Sequence, residues 1–460
     1  FTSDIRASEA RTSGPLMERA AFGVATIAIR LLEESIGLVV GSKVLLLVGS
    51  GDNGGDALYA GAYLAERGAQ ITALLVGASA HEGGLAALRE TRSEILSSPF
   101  GLDIGKFVLV IDGIVGLGGK GGLRDQAAGI VESLSEDSIV LAVDLPSGVD
   151  ADSGETTGAY VVADVTAVCG ALKVANLVDP AASASGVCEL IDIGLEFPST
   201  APRIEIWQGS DVRNALPVLG DHLDKYRRGV LGVVAGSKEF PGAGALVCAG
   251  ALSIGIGMIR YLGEASETVI GEHPEVVRAS GQVQAWVVGP GLVDVLSDGH
   301  IANAVSSVQP LIVDAGALRV LPQGRPNTLI TPHAGELANL LGVERSEIER
   351  RSLHFAQLAA ETFGVTVLLK GSTTVIVSSE GRTTVNPTGT PRLATAGSGD
   401  VLAGLIGALA AAGVELFDAA AIGAWLHGLA GRLRLGSGAS EIAATIPDAI
   451  ASLSWQADRL

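Results

Sequence analysis

The chain is poor in cysteine, in aromatic side chains and in positive charge. Three cysteines (Cys169, Cys188 and Cys248) stand in 460 residues, with no Cys-x-x-Cys spacing. That count argues against a disulfide framework or a thiolate metal site and points to a reducing cytoplasm. Aromatic residues make up 4%, too few for base-stacking platforms. Lysine and arginine number 31 against 50 acidic residues, leaving a formal net charge of −19. Such a surface disfavours nucleic-acid phosphates and anionic membranes as partners. No basic stretch followed by an apolar one opens the sequence, so secretion is not expected. The charge-free run Gly242 to Ile259 holds five glycines and follows Pro241. It reads as a buried helix after a glycine turn, not a membrane span.

What is abundant is apolar residues and glycine. At 48% hydrophobic and 18% charged residues the chain can bury large cores, which excludes bulk disorder. Its 62 glycines are about twice the usual ~7%, as tight strand-to-helix turns and close backbone approach to ligands require. The length allows two or three domains. Continuous apolar strands are expected at 43–48, 70–76, 107–111, 139–143, 161–168 and 188–193. Helical patterns fall at 55–67, 82–96 and 124–134, which together describe a parallel sheet covered on both faces. The pattern breaks between 196 and 228, where Pro198, Pro202 and Pro217 precede a charged cluster from Asp221 to Arg228. A second alternation follows, with strands near 230–235, 285–288, 311–314, 327–330 and 365–369. Helices are expected near 243–257, 398–412 and 417–434, with a short last one after Thr445. The expected architecture is α/β in two domains, residues 1–205 and 206–460. The apolar excess also suggests buried subunit interfaces, hence a homo-oligomer.

In the first half, the strand 43–48 runs into Gly49-Ser-Gly-Asp-Asn-Gly-Gly-Asp56. This satisfies Gly-x-Gly-x-x-Gly, but the second strand ends Leu75-Val76-Gly77, without the acidic residue that would hold a ribose. What remains is a helix N-terminus suited to an anion. Two further strands end in Asp112 and in Asp144, the latter within Val143-Asp-Leu-Pro-Ser-Gly148. Ligands of open parallel sheets bind outside the carboxyl ends of strands. Asn53, Asp56, Asp112, Asp144 and Ser147 therefore converge on one crevice, as oxygen donors that suit a hard cation. Each aspartate alone could equally be a helix cap.

These segments, with the later Cys-Gly-Ala-Leu-Lys173, resemble the N-terminal domain of the bifunctional NAD(P)H-hydrate repair enzymes. The resemblance implies a Rossmann-like domain that interconverts the R and S forms of NAD(P)H hydrated at nicotinamide carbon 6, with bound potassium. Asn53, Asp112 and Ser147 match the potassium ligands. Asp52, Asn53, Gly54, Gly55, Asp56, Gly116, Leu117, Gly118, Gly119, Lys120, Gly121, Gly122 and Asp144 match the hydrate-binding positions. Asp52 replaces the family's usual asparagine and Leu117 its usual threonine. Epimerisation needs a proton shuttle, and Asp144 is the candidate; the alternative is that it only orients the ribose or the ring amide.

In the second half, Ala396-Gly-Ser-Gly-Asp400 precedes a long apolar helix. Its free amides form a cradle for a phosphoryl group, and Asp400 is placed to take a proton from an attacking hydroxyl; the alternative is a plain glycine turn capped by Asp400. No Gly-x4-Gly-Lys-Ser/Thr occurs, so no P-loop holds a nucleotide. Lys370-Gly-Ser-Thr-Thr374 ends a strand as a phosphate-binding edge would, and His333 with Glu336 follows another strand. These segments resemble the ribokinase-like, ADP-dependent dehydratase domain of the same family. The resemblance assigns Ala243, Gly291, His333 and Asp400 to the hydrate. It assigns Lys370, Gly371, Ser372, Thr373, Thr374 and Gly399 to the nucleotide. It implies phosphorylation of S-NADHX or S-NADPHX by ADP, assisted by Mg²⁺, then loss of phosphate to restore NAD(P)H. The rival reading is a ribokinase-like kinase of a vitamin precursor, with a non-catalytic N-terminal binding module.

Overall fold

The computed structural model describes all residues except 1, 13–14, 198–203, 218–223, 296–297, 322–323, 326, 435–437 and 457–460. The expected Pro198, Pro202 and the start of the charged cluster at Asp221 lie outside the described residues. The chain forms two compact units, Phe1–Ala201 and Pro202–Leu460. A two-residue strand at Glu205–Ile206 belongs to the second sheet, so a division after residue 205 would cut it.

The first unit holds seven parallel strands, β1 (Lys43–Val48), β2 (Gln70–Leu75), β3 (Glu94–Leu96), β4 (Leu109–Gly113), β5 (Ile139–Val143), β6 (Val165–Cys169) and β7 (Val187–Ile191). Their order is β3-β2-β1-β4-β5-β6-β7, so the chain reverses direction between β1 and β4. Ligand crevices of doubly wound sheets open at such a point. Both faces are apolar because both are covered: Leu46 and Val48 pack with the helices Leu16–Ile36 and Asp52–Glu66, and Leu45 and Leu47 pack on the opposite side. Each fully buried leucine contributes roughly 1.5–3 kcal/mol. The helix expected over 82–96 stops at Arg89, and residues 94–96 form the edge strand β3. Three residues with polar neighbours carry too little period-2 signal to be seen beforehand.

The second unit is a nine-stranded sheet. Its strands are β8 (Glu205–Ile206), β9 (Val230–Val234), β10 (Met258–Tyr261), β11 (Ala285–Val288), β12 (Leu311–Val313), β13 (Thr328–Ile330), β14 (Thr366–Leu369), β15 (Thr374–Val377) and β16 (Thr383–Asn386). The order is β10-β9-β11-β12-β13-β14-β15-β16-β8, parallel except where β15 pairs with β14 and β16. The helix expected over 243–257 ends at Leu252, and β10 starts at Met258. The last helix is not short: it spans Ala439–Gln456 with Pro447 inside it. Helices Pro241–Leu252 and Ser398–Ala411 meet backbone to backbone. A Cβ on Gly404 would lie 1.9 Å from the Val247 carbonyl oxygen, and one on Gly250 2.1 Å from that of Val401. That contact fixes helix Ser398–Ala411 on helix Pro241–Leu252, while Gly407 packs on Val287 and Leu231 of the sheet. Among the described residues no helix is long and apolar enough to cross a membrane.

Candidate functional sites

In the first unit a cavity of about 840 Å³ opens at the carboxyl ends of β1, β4 and β5. Asp52, Asn53, Asp56, Gly116, Leu117, Gly118, Gly122 and Asp144 line it. The turn at its floor is built by close approach: a Cβ on Gly49 would sit 1.7 Å from the Ile114 carbonyl oxygen. Gly54 and Gly55 do not line the cavity; they pack against Gly49 and against Met17 and His81. Gly119 packs on Val115, while Lys120 and Gly121 are exposed.

Asp112 and Ser147 lie buried beneath the cavity. Ser147 Oγ donates to Asp112 Oδ1 at 2.6 Å, and the Ser147 amide to Oδ2 at 2.8 Å. Burial pushes the Asp112 carboxyl up to about 6 against the pull of these bonds. Asn53 Nδ2 donates to the Val143 carbonyl at 2.5 Å, leaving Oδ1 beside Gly116, where a Cβ would come within 2.1 Å of it. The donor set is one carboxylate with neutral oxygens, a composition that fits a monovalent cation. Among the described residues no three His, Cys, Asp or Glu side chains gather as a multivalent metal site would need.

Asp56 is buried in the cavity wall, and its Oδ1 has no hydrogen-bond partner. Burial first, then the charges of Asp144, Asp52 and Glu9, push its carboxyl up to about 8, so it carries a proton at neutral pH. Asp144 follows β5 with φ at +69°, a conformation rare for a residue with a side chain. Its Oδ1 accepts from the Cys169 amide at 3.0 Å and from the Nζ of Lys173, which is wholly buried. Arg6, Glu9, Arg124 and Cys169 complete the wall, and the sequence reading assigned a role to none of them. Lys173 lay in a motif it had singled out; for Arg6 and Glu9, on helix Thr2–Arg11, no signal was available.

In the second unit Gly397, with φ at +86°, starts helix Ser398–Ala411 and presents Asp400 in its first turn. Lys370, just after β14, donates to the buried Asp314 at 2.8 Å and stands 3.9 Å from Glu336. Burial alone would lower the Lys370 ammonium, but Asp314 and Glu336 outweigh it and raise it. A Cβ on Gly399 would lie 3.3 Å from Lys370 Nζ. Asp400 is pushed up to about 7 by burial and by Asp314, with Lys370 opposing and Glu336 adding. His333 caps helix Ala334–Leu341, its Nδ1 accepting from the amides of Gly335 at 3.0 Å and Glu336 at 3.2 Å. It also pairs with Lys370 through a parallel bridge. His333, Lys370, Gly399 and Asp400 thus come together. Ala243 and Gly291 form a second contact, where a Cβ on Gly291 would sit 2.5 Å from that of Ala243. Gly371 and Ser372 are exposed, Thr373 is half-buried, and Thr374 heads β15. Asp314, in the strand-end turn Asp314-Ala-Gly316 of the sequence, had been given no role; it directly follows β12, as Asp144 follows β5.

The family model described as NAD(P)H-hydrate dehydratase matches residues 231–450, and the one described as YjeF-related protein N-terminus matches residues 13–175. The bifunctional NAD(P)H-hydrate repair enzyme Nnr of Mycobacterium leprae is 41% identical over 436 residues, covering 91% of this chain and 89% of that protein. The enzyme of the same name from Corynebacterium glutamicum is 36% identical, covering 85% of this chain and 82% of that protein. The ADP/ATP-dependent NAD(P)H-hydrate dehydratase of Bacillus subtilis, co-crystallized with ATP and Mg²⁺, is 26% identical to this chain. It matches with a TM-score of 0.51 over 55% of this chain and 100% of its own. The fold is therefore that of a two-domain α/β protein whose C-terminal unit resembles a ribokinase-like dehydratase. The chain belongs to the family of bifunctional NAD(P)H-hydrate repair enzymes.

Proposed function

We propose that this chain repairs hydrated NADH and NADPH: the first unit interconverts the R and S epimers, and the second dehydrates the S epimer at the expense of ADP. The observation that carries the reading is the presence of two separately built acid–base sites. One has Asp144 and the buried, unpartnered Asp56 on a cavity wall; the other has Asp400 at a helix N-terminus beside Lys370.

In the first site Asp144 is the general base toward the hydroxyl on carbon 6, and the neutral Asp56 carboxyl donates a hydrogen bond to the substrate. Asn53, Asp112 and Ser147 would hold potassium, whose charge would help to seat the hydrated nicotinamide. Gly116 to Gly122 and Asp52 would line the rest of the hydrate.

In the second site Asp400 takes the proton of the carbon-6 hydroxyl as its oxygen attacks the terminal phosphorus of ADP. AMP leaves, and the amides of Gly397 to Gly399 hold the developing charge. Phosphate then departs with the carbon–oxygen electron pair, a proton is lost from carbon 5, and the ring double bond returns. Lys370 to Thr374 would bind the nucleotide, with His333, Ala243 and Gly291 against the hydrate. With no three-carboxylate cluster among the described residues, magnesium would be carried by the nucleotide phosphates. A homo-oligomer suits the exposed Phe22, Val187 and Leu190, and a reducing cytoplasm suits the three free thiols.

The test incubates the chain with mixed-epimer NADHX, with and without ADP, potassium and magnesium, and follows absorbance at 340 nm. The expected result is complete ADP-dependent recovery of NADH, faster than spontaneous epimer exchange. Recovery that stalls at the S fraction would reduce the first unit to a binding module. A stable phosphorylated product would favour the kinase reading.

A further inference from the structure

We propose that Lys173 is the positioning residue of epimerisation: together with the Cys169 amide it occupies one oxygen of Asp144, which leaves the other oxygen for the substrate hydroxyl. This rests on reading the first unit as the epimerisation site.

Lys173 has no exposed surface, an unusual place for an ammonium group, since burying a charge is expensive unless it is paired and hydrogen-bonded. Here both conditions are met at one address. Nζ reaches Asp144 Oδ1 and donates to the Cys169 carbonyl at 2.9 Å. The Lys173 amide donates to Asn176 Oδ1 at 2.8 Å, which anchors the backbone from which the side chain departs. Packing alone would be served by leucine or methionine, without any desolvation penalty. The ammonium group therefore has a task, and Asp144 is the only carboxylate it touches among the described residues.

Asp144 is itself over-determined. Its amide donates to the Ala167 carbonyl at 2.8 Å, and its backbone holds the left-handed conformation. Cys169 and Lys173 both address Oδ1, whereas Oδ2 has no hydrogen-bond partner among the described residues although Asp144 lines the cavity. Left-handed backbone at a non-glycine residue persists only where its surroundings enforce it, and such positions gather at functional sites. A carboxylate with one oxygen locked twice and the other open to a cavity is a fixed base with a single direction of attack.

That geometry suits epimerisation through ring opening. Asp144 Oδ2 accepts the proton of the carbon-6 hydroxyl, and the carbon-6 oxygen forms a carbonyl. The bond from carbon 6 to ring nitrogen 1 breaks, its electron pair delocalising from the nitrogen through the ring double bond into the carboxamide. Rotation about the bond between carbons 5 and 6 presents the other carbonyl face. The nitrogen attacks again, and Asp144 returns the proton to oxygen. No oxidant, reductant or further reactant is needed. A base free to swing would turn away while the carbonyl rotates; one held by Lys173 stays to return the proton.

The test is made on the full chain with Lys173→Met, Lys173→Arg and Asp144→Asn, alone and with Lys173→Met added to Asp144→Asn. Epimer exchange is followed with separated R and S NADHX, and ADP-dependent dehydration of the S epimer reports the second unit of the same molecule. Lys173→Met is expected to lower kcat of exchange about a hundredfold with KM changed less than threefold. Lys173→Arg is expected to recover at least a tenth of the lost rate. Adding Lys173→Met to Asp144→Asn is expected to change exchange no further, because the lysine acts through the aspartate. Dehydration is expected to be unaltered throughout. Exchange at the normal kcat in Lys173→Met overturns the proposal. So does a further large loss in the double variant, or, where Lys173→Met unfolds the first unit, a folded Lys173→Arg that loses only KM. Absence of exchange in the unaltered chain removes the epimerase reading itself and this proposal with it.

Discussion

Each unit sets a carboxylate at the end of a parallel strand against a buried or partly buried lysine, but the two pairings differ in which carboxylate receives the cation. In the first, Lys173 bonds Asp144 itself, the group assigned to the chemistry. In the second, Lys370 bonds Asp314 at 2.8 Å and leaves Asp400 with electrostatic contact only. Asp400 is consequently pushed up to about 7 by burial and by Asp314. Asp144 instead raises its neighbour: burial and the Asp144 charge push Asp56 up to about 8. One site thus pairs a fixed base with a neutral acid beside it. The other keeps a single group poised near neutrality. The difference suits the two reactions. Epimerisation returns every proton it takes, whereas phosphoryl transfer needs one proton removed as the oxygen attacks.

The largest expected effects separate the two sites. Asp400→Asn should lower dehydration by 10²–10⁴-fold and leave epimer exchange unchanged, while Asp144→Asn should do the reverse, as the loss of a general base predicts. Assaying both activities on each variant checks this; a variant that lost both would dissolve the comparison. A smaller effect, roughly tenfold per pH unit, is expected on opposite sides of neutrality for the two activities. Dehydration should fall as Asp400 takes up its proton below about 7, and exchange should fall above about 8 as Asp56 loses its own. Rate profiles for the two activities that titrate together would contradict the assigned roles. Smaller again, Asn53→Ala should raise the potassium concentration needed for half-maximal exchange about tenfold without touching dehydration, measured by titrating potassium into each assay.

Much of this was legible in the sequence, for a reason that particular residues make plain. β1, β5, β9 and β14 are continuous apolar runs that end abruptly in glycine, aspartate or lysine, so strand, turn and site arrive in one reading. β10 was missed because its first two residues, Met258 and Ile259, close the uncharged stretch from Gly242, which reads as helical. The hairpin of β15 and β16 was missed; the first residue of β15, Thr374, was read as the end of the binding segment Lys370 to Thr374. Asn53, Asp56 and Asp144 were found from their places at strand ends. Glu9 and Arg6 reach the same cavity from helix Thr2–Arg11, well before the first motif at Gly49 to Asp56, a long-range contact that no local pattern encodes. Whether Asp56 is neutral depends on burial and on three neighbouring charges, quantities that exist only once the chain is folded.

The smallest effect concerns stability, and its sign follows from proton linkage. Asp56 and Asp112 in the first unit and Asp400 in the second all have folded-state values raised above the usual ~3.9. Each group therefore binds more proton in the folded than in the unfolded chain between that value and its own. Its contribution is fully present below the unfolded value and is lost as pH rises through the folded one. The first unit has three such groups, Asp112 and Asp56 with windows reaching about 6 and about 8 and Glu9 raised in the same direction by burial and by Asp144; the second has one, Asp400, reaching about 7. Between pH 5 and 8 the first unit should lose more stability than the second, at roughly 1 kcal/mol per pH unit for each group inside its window. Calorimetry of the full chain across that range, in sodium buffer to exclude stabilisation by bound potassium, should show the transition of the first unit falling faster. Asp56→Asn should flatten its slope above pH 6, where Asp112 is already ionised and Asp56 still holds its proton. An unchanged slope in that variant would mean that Asp56 is not the neutral acid the first site requires.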